Sequence, residues 1–187
     1  MKSKKSMGFA VLVCLSVLCL AVITSACGSS PAEGLEIKAV VLDKDGNVIE
    51  EPDVVVNTQL LKQYESGGGL YETSFTVTSN ADSSLVYGVS LIQKITWSDN
   101  FGPDNALVEV CGTWHGDSDR ISHMGVDYGA ADKKGKIIDS FTNSPADSSF
   151  SYSPTGVTGY GFYLNTYAEI SGYDAPITLY VKTSVVD

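Results

Sequence analysis

Apolar and polar side chains alternate with a period of two along most of the chain after its first 34 residues, and this pattern constrains the fold most. In residues 71–78, for example, Tyr71, Phe75 and Val77 share one face, and the even-numbered polar residues share the other. Successive side chains of a β-strand lie on opposite faces, so each run predicts a strand with one buried face. Turn-forming residues separate the runs, and no strand alternates with a long helix. The pattern predicts an all-β fold, an antiparallel β-sandwich of Ig-like or jelly-roll-like type with roughly seven to ten strands.

Two interruptions of the alternation predict local structure of another kind. The pair Asp45-Gly46 predicts a hairpin turn, because both residue types tolerate positive φ angles. Residues 58–66 predict at most one short helix, with Thr58 as its N-cap and with the three following glycines as its end.

Charge limits the partners that a chain of this composition can have. It has 187 residues with 12 Lys or Arg and 22 Asp or Glu, and its formal net charge is −10 at pH 7. Such an acidic surface repels phosphate backbones, so we expect no nucleic-acid partner. It attracts cationic peptides instead. The hydrophobic fraction of 43% is that of a folded domain and not of a disordered chain.

The first 30 residues carry the parts of a secretory signal. Three lysines precede an apolar run over residues 7–23, and small residues follow up to Ala26 and Cys27. This arrangement resembles the lipobox of bacterial lipoproteins, and the resemblance covers residues 1–30 alone. It implies that diacylglycerol alkylates the thiol of Cys27 and that cleavage before Cys27 makes this residue the new N-terminus.

Together with the alternation, the resemblance predicts three parts of the chain: a lipoprotein signal peptide at residues 1–26, a lipidated flexible linker at residues 27–34, and a single β-sandwich domain at residues 35–187. It implies a location on the extracytoplasmic face of the cell membrane, with diacylglycerol on Cys27 as the lipid anchor. One alternative is a plain cleaved signal. The other is an uncleaved anchor helix, because the 17-residue apolar run just reaches the length of about 17–25 residues that a membrane span needs.

Lipidation of Cys27 leaves Cys111 as the one cysteine of the mature domain, so no intramolecular disulfide is expected. In the strand predicted there, Val108, Val110 and Trp114 share one face, and Cys111 points to the other. A buried, inert thiol is the favoured interpretation of Cys111. A reactive or dimer-forming thiol is the alternative.

Both histidines of the chain lie in one polar segment that follows this strand. The candidate metal ligands are His115, Asp117, Asp119 and His123. Imidazole and carboxylate groups are ligands that zinc accepts, and carboxylates also suit calcium. A plain polar loop is the alternative, because spacing alone does not establish the geometry of a metal site. We expect no other cofactor.

Three tyrosines near the C-terminus form a candidate binding surface: Tyr163, Tyr167 and Tyr180. Each alternates with apolar residues that are expected to face the core, so the three side chains are predicted to be exposed on the outer face. Exposed Tyr among Ser, Gly and Asn is typical of surfaces that recognise proteins or sugars. The alternative is a cross-strand pairing of tyrosines that only stabilises a sheet face.

These features favour a membrane-anchored extracytoplasmic lipoprotein that acts as a non-enzymatic binding module for a protein or peptide. A glycan-binding β-sandwich is one alternative, and a line of exposed aromatic rings spaced like sugars would support it. A metal-dependent enzyme is the other alternative, and it requires His115 and His123 to converge.

Overall fold

The computed structural model describes residues 35–79, 89–99, 104–116, 120–171 and 176–186. Within these ranges, twelve β-strands form two six-stranded antiparallel sheets that share one core. This arrangement confirms the prediction of an all-β antiparallel sandwich. The same ranges contain no helix that is long and apolar enough to cross a bilayer.

One sheet, sheet A, contains the first two and the last two strands of the chain. Its members are β1 (Lys38–Leu42), β2 (Val48–Glu50), β7 (Ile121–Ala131), β8 (Ile137–Asn143), β11 (Gly161–Ile170) and β12 (Ile177–Val186). Their order across the sheet is β2-β1-β12-β11-β7-β8, so β11 and β12 lie at its centre.

The other sheet, sheet B, is built mainly from consecutive strands. Its members are β3 (Val54–Gln63), β4 (Gly69–Ser79), β5 (Val89–Ser98), β6 (Asn105–His115), β9 (Ser149–Tyr152) and β10 (Thr158–Gly159). Their order is β10-β6-β5-β4-β3, and β9 also pairs with β6. The described residues hold more strands than the seven to ten predicted, because β2, β9 and β10 have only 3, 4 and 2 residues. Segments this short carry no readable alternation.

The prediction of a short helix at residues 58–66 is wrong, because β3 occupies most of this segment and pairs with β4 along its length. β3 begins with three valines, and β-branched side chains favour a strand over a helix. Thr58, expected as a helix cap, instead shares a hydrogen bond with Thr73 of β4, with 2.8 Å between the two Oγ1 atoms.

The predicted turn at Asp45-Gly46 is confirmed, although Gly46 and not Asp45 has the positive φ expected of both, and the side chain of Asp43 holds the turn. Asp43 Oδ1 accepts hydrogen bonds from the N–H groups of Asp45 and Asn47, both at 2.9 Å. These bonds, led by one from the Asn47 side chain, lower the pKa of Asp43. Gly46 has a φ of 84°, which a residue with a Cβ rarely adopts. The turn at residues 132–136 repeats the pattern between β7 and β8.

A layer of polar side chains divides the core between the sheets. Gln93 of β5, Thr166 of β11 and Thr183 of β12 are almost completely buried. Gln93 Nε2 donates hydrogen bonds to Thr183 Oγ1 at 2.7 Å and to the Leu164 carbonyl oxygen at 3.2 Å. Gln93 Oε1 accepts one from Thr166 Oγ1 at 2.9 Å. One apolar cluster lies on each side of this layer, and both clusters contain residues of both sheets.

A β-bulge in β6 changes which of its side chains face the core. The register with β5 shifts between Thr96 and Trp97, so β6 has one extra residue there. Val110 and Trp114 are buried, as predicted, but Val108 is 39% exposed. The prediction that Val108 shares their face is wrong, because an extra residue reverses the alternation of side chains.

Candidate functional site

The predicted tyrosine surface lies on the outer face of sheet A. In the ladder formed by β7, β11 and β12, Tyr167 lies opposite Gly125 on one side and Tyr180 on the other. Two residues earlier in β11, Asn165 lies between Asp127 and Lys182 in the same way. Residues opposite one another project to the same face, so an aromatic row and a polar row run side by side. We call this surface the tyrosine face, defined by Asp127, Tyr163, Asn165, Tyr167, Tyr180 and Lys182.

Tyr167 and Tyr180 form a stacked pair that is open to solvent. Their ring centroids lie 5.3 Å apart with 28° between the ring planes, and they are 38% and 39% exposed. The Tyr167 ring also lies over Gly125, where a Cβ atom would collide with it. Partial burial, with the neighbouring Tyr167 and Glu169 charges, raises the pKa of Tyr180, so the Tyr180 hydroxyl stays a neutral donor near pH 7. The exposure predicted for these two tyrosines is confirmed.

Tyr163 projects from the same face, as the alternation predicts, but its predicted exposure is wrong because it is only 2% exposed. It lies opposite Gly129 in the ladder, and its side chain reaches past that glycine to hydrogen-bond with Ser140 of β8. Burial is the main cause that raises the pKa of Tyr163, and the carboxylates of Asp127 and Asp139 raise it further. Tyr163 is therefore a fixed wall of the site and not an exposed contact.

A trough of about 200 Å³ lies beside Tyr163. Its polar lining consists of Glu36, Asp127, Ser140, Tyr163, Asn165 and Lys182, and Ile137 is its apolar member. Asp127 Oδ1 accepts a hydrogen bond from Ser140 Oγ at 3.2 Å, and Lys182 Nζ lies 3.7 Å from Glu36 Oε2. The trough thus offers two carboxylates and several fixed hydrogen-bonding groups next to the exposed aromatic pair.

A second, more open cleft of about 470 Å³ adjoins the other side of the aromatic row. Tyr167, His123 and Pro145 are among its lining residues. His123 lies in a bulge of β7 with a φ of 46°, and its Nδ1 is 2.8 Å from Glu169 Oε2. A non-glycine residue in this left-handed region is uncommon, and a bulge re-aims the side chain that it carries. Here it brings His123 against Glu169 at the edge of the tyrosine face.

The structure locates two of the four predicted metal ligands. His115 is exposed at the end of β6 in sheet B, and His123 contacts Glu169 on sheet A. Asp117 and Asp119 lie outside the described residues. In the part of the chain that is described, no three His, Cys, Asp or Glu side chains group together to hold a metal ion. The zinc or calcium site, and the enzyme that would need it, stay predictions.

Cys111 is half-buried on the outer face of sheet B, where its ladder partners are Lys94 and Ser151. Burial is the main cause that raises the pKa of its thiol, and the nearby Glu109 carboxylate raises it further. The thiolate is the reactive form of cysteine, so a raised pKa reduces its reactivity at neutral pH. Cys111 is thus less buried than predicted, and its raised pKa agrees with the inert part of the interpretation.

The edge strand β3 is a surface that the sequence did not reveal, because its residues from Thr58 onward were predicted to form a helix. Among the described residues, β3 pairs with β4 alone, and its other side is open. Val55 is 65% exposed, and Val56, Leu60 and Leu61 are between 44% and 48% exposed. A long, apolar and uncovered edge strand is a template for pairing with another chain. The run of valines followed by Thr58 was the signal for a strand.

The groups available to a ligand lie on the outer faces and edges of the sandwich, since every buried side-chain nitrogen or oxygen of the described residues already has a hydrogen-bond partner. The site offers recognition groups, namely rings, carboxylates and amides, on a rigid sheet. Comparison with protein-family models, with curated proteins and with solved structures found no match for this chain.

Proposed function

We propose that the mature protein is a lipoprotein, anchored by diacylglycerol on Cys27 to the extracytoplasmic face of the cell membrane, and that its tyrosine face binds a cationic, extended segment of a protein partner without catalysis. The lipobox-like N-terminus supports the lipid anchor and the location at the cell membrane. The trough and the aromatic pair support the binding role.

The observation that carries the binding role is the position of two carboxylates beside two exposed rings. Asp127 and Glu36 line the trough, and Tyr167 projects two residues along β11 from the polar row. A Lys or Arg side chain gains charge-assisted hydrogen bonds from carboxylates, and its alkyl stem and cationic head pack well on aromatic rings. Lys182 now lies near Glu36, so an incoming cation would compete with it for this carboxylate.

The charge of the whole molecule supports the same partner. The chain has a net charge of −10, so its field attracts cationic segments and steers them to the surface before contact. The ring geometry favours a peptide over an extended glycan. The two exposed rings contact one another, and the third, Tyr163, is covered, so the tyrosines do not form a line of separate platforms.

Binding can be tested with a peptide of alternating Lys and Val residues, titrated into the ¹⁵N-labelled mature protein in detergent micelles. We expect amide shifts on β7, β11 and β12 and an affinity that falls as salt is added. Asp127→Asn should weaken binding about tenfold, because it removes one charge-assisted contact. Glu109→Gln is the matched control, since Glu109 is a carboxylate of sheet B, away from the tyrosine face, and likewise accepts a hydrogen bond from a serine, Ser151.

Two results would overturn the proposed binding role. One is equal binding of a peptide in which Glu replaces every Lys. The other is a set of shifts confined to sheet B or to the sheet edges. The anchor is tested separately by Cys27→Ala, which should release the protein from the membrane or leave the precursor uncleaved. A mature, processed form that stays membrane-attached in this variant would contradict the lipid anchor.

A further inference from the structure

The open side of sheet B is the most apolar exposed edge of the described residues. Val55, Val56, Leu60 and Leu61 all belong to β3 and are exposed. β2, an edge strand of sheet A, lies near the end of β4, because Glu50 of β2 accepts a hydrogen bond from Ser79 Oγ of β4 at 2.6 Å. Val48 and Ile49 of β2 are exposed as well. An exposed apolar edge of this kind is a typical site for pairing with another chain.

From Val56 to Leu60 the polarity of β3 is symmetric about Thr58: Val56 and Leu60 stand at the two ends, and the amides Asn57 and Gln59 stand on either side of Thr58. β3 has one extra residue relative to β4 at Leu61, so the symmetric stretch ends before this bulge. A twofold axis relates a surface to itself, so a strand that pairs with its own copy in antiparallel orientation needs this symmetry. A strand adapted to an unrelated partner does not need it.

We propose that two copies of this chain associate through β3, paired antiparallel about a twofold axis at Thr58. In this register Val56 faces Leu60 of the second copy, and Asn57 faces Gln59 of the second copy. The ladder satisfies the outward backbone groups of both edges, and the facing amides hydrogen-bond with each other. The two sheets B thereby become one continuous sheet.

Charge favours β3 over other surfaces for this contact. The chain has a net charge of −10, yet β3 contains no Asp or Glu and a single Lys. Self-association through an acidic surface would bring like charges together, and β3 avoids that cost. A pair of edge strands buries less than the roughly 800 Å² per partner of a standard interface, so the pairing is weak in dilute solution. A shared membrane would raise the effective concentration, but the register follows from β3 itself and not from the tyrosine face.

Disulfide trapping in the full-length, cell-expressed protein tests this register. In a Cys111→Ser background, Thr58→Cys places two thiols directly opposite one another on the axis. Facing residues of an antiparallel pair have Cα atoms about 4.5–5.5 Å apart, which a disulfide spans. Mild oxidation should give a reducible dimer, in about tenfold greater yield than for Ile138→Cys. A disulfide forms efficiently only where the two cysteines face one another at a short Cα–Cα distance, and exposure alone does not provide this. Ile138 is the matched control, since it is 50% exposed on β8, an edge strand of sheet A.

A second pair of variants tests the register without touching Thr58. Val56→Cys alone should give little dimer, because its counterpart in the second copy lies four residues, about 13 Å, further along. Val56→Cys combined with Leu60→Cys should restore the dimer, and this variant keeps the Thr58–Thr73 hydrogen bond intact.

Each opposite result would overturn the proposal. Equal dimer from Thr58→Cys and Ile138→Cys would indicate random collision. Equal dimer from Val56→Cys alone and from the double variant would exclude the register. A disulfide to another protein, or no dimer from any β3 variant, would mean that a different partner, or another part of the chain, covers this edge. None of these outcomes bears on peptide binding at the tyrosine face.

Discussion

Gln93→Leu is expected to destabilise the fold, because it removes a side chain that joins the two sheets by hydrogen bonds in the middle of the core. Gln93 donates to Thr183 and to the Leu164 carbonyl, and it accepts from Thr166. Thr183 Oγ1 separately donates to the Leu164 oxygen at 2.7 Å, and that bond survives the substitution. The group left without a partner is therefore the Thr166 hydroxyl, which is 1% exposed.

The size of the effect follows from this single unpaired group. A buried polar group without a partner reduces the free energy of unfolding by about 1–3 kcal/mol, and the apolar contacts of the leucine offset part of this loss. We expect Gln93→Leu to reduce the free energy of unfolding by about 1–2 kcal/mol. Gln93→Ala leaves the same hydroxyl unpaired and adds a cavity, so its cost should be about 3–5 kcal/mol.

A double-mutant cycle with Thr166→Val separates the hydrogen bond from packing. Each single substitution leaves one partner of the Gln93–Thr166 bond buried and unpaired, whereas the double substitution leaves neither. In urea unfolding, the double variant should therefore cost less than the sum of the two single variants by at least about 1 kcal/mol. Strictly additive costs, or a Gln93→Leu protein more stable than the parent, would refute the role of this layer.

Three further predictions concern the surface. Gly125→Ala should displace the Tyr167 ring and destabilise the protein by about 1–3 kcal/mol in urea unfolding, and an unchanged midpoint would contradict the contact. Because hydrogen bonds lower the pKa of Asp43, its turn should be stable above the ordinary pKa of 3.8 and loosen as the pH falls through the lower folded value, which NMR titration measures. Cys111, whose pKa is raised, should react with iodoacetamide more slowly in the folded protein than in urea.

The parts of the fold that alternation predicted are those in which each strand has one buried and one open face. β4 shows this directly, since Phe75 and Val77 are buried and the intervening positions are more open. The same signal placed Tyr167 and Tyr180 on the outer face of sheet A, because burial on one face is a property of the strand's own sequence. Asp127 of β7 lies between two buried residues and could have been assigned to that face in the same way.

The parts that the sequence did not predict depend on residues that are distant in the chain. Tyr163 is covered in a row that runs across three strands, since it lies opposite Gly129 of β7 and its hydroxyl hydrogen-bonds with Ser140 of β8. Val108 faces outward because β6 carries an extra residue relative to β5. β3 is a strand because β4 offers it a ladder, and this tertiary pairing overrides the local signals of a helix cap and of glycines that end a helix.

The shape of the tyrosine face depends on two glycines of β7 that lie opposite two tyrosines of β11. β7 presents Gly125 and Gly129 opposite Tyr167 and Tyr163 of β11, and Asp127 lies between the two glycines opposite Asn165. Gly125 lets the Tyr167 ring lie over β7, and Tyr163 hydrogen-bonds with Ser140 on the far side of Gly129. Asp127 and Asn165 line the trough beside Tyr163, so the Asp127 carboxylate is recessed. A recessed carboxylate is shielded from salt more than one on an open surface, so a cation that reaches it binds more strongly. The alternation of Gly, Asp and Gly along β7 is therefore as much a part of the site as the tyrosines themselves.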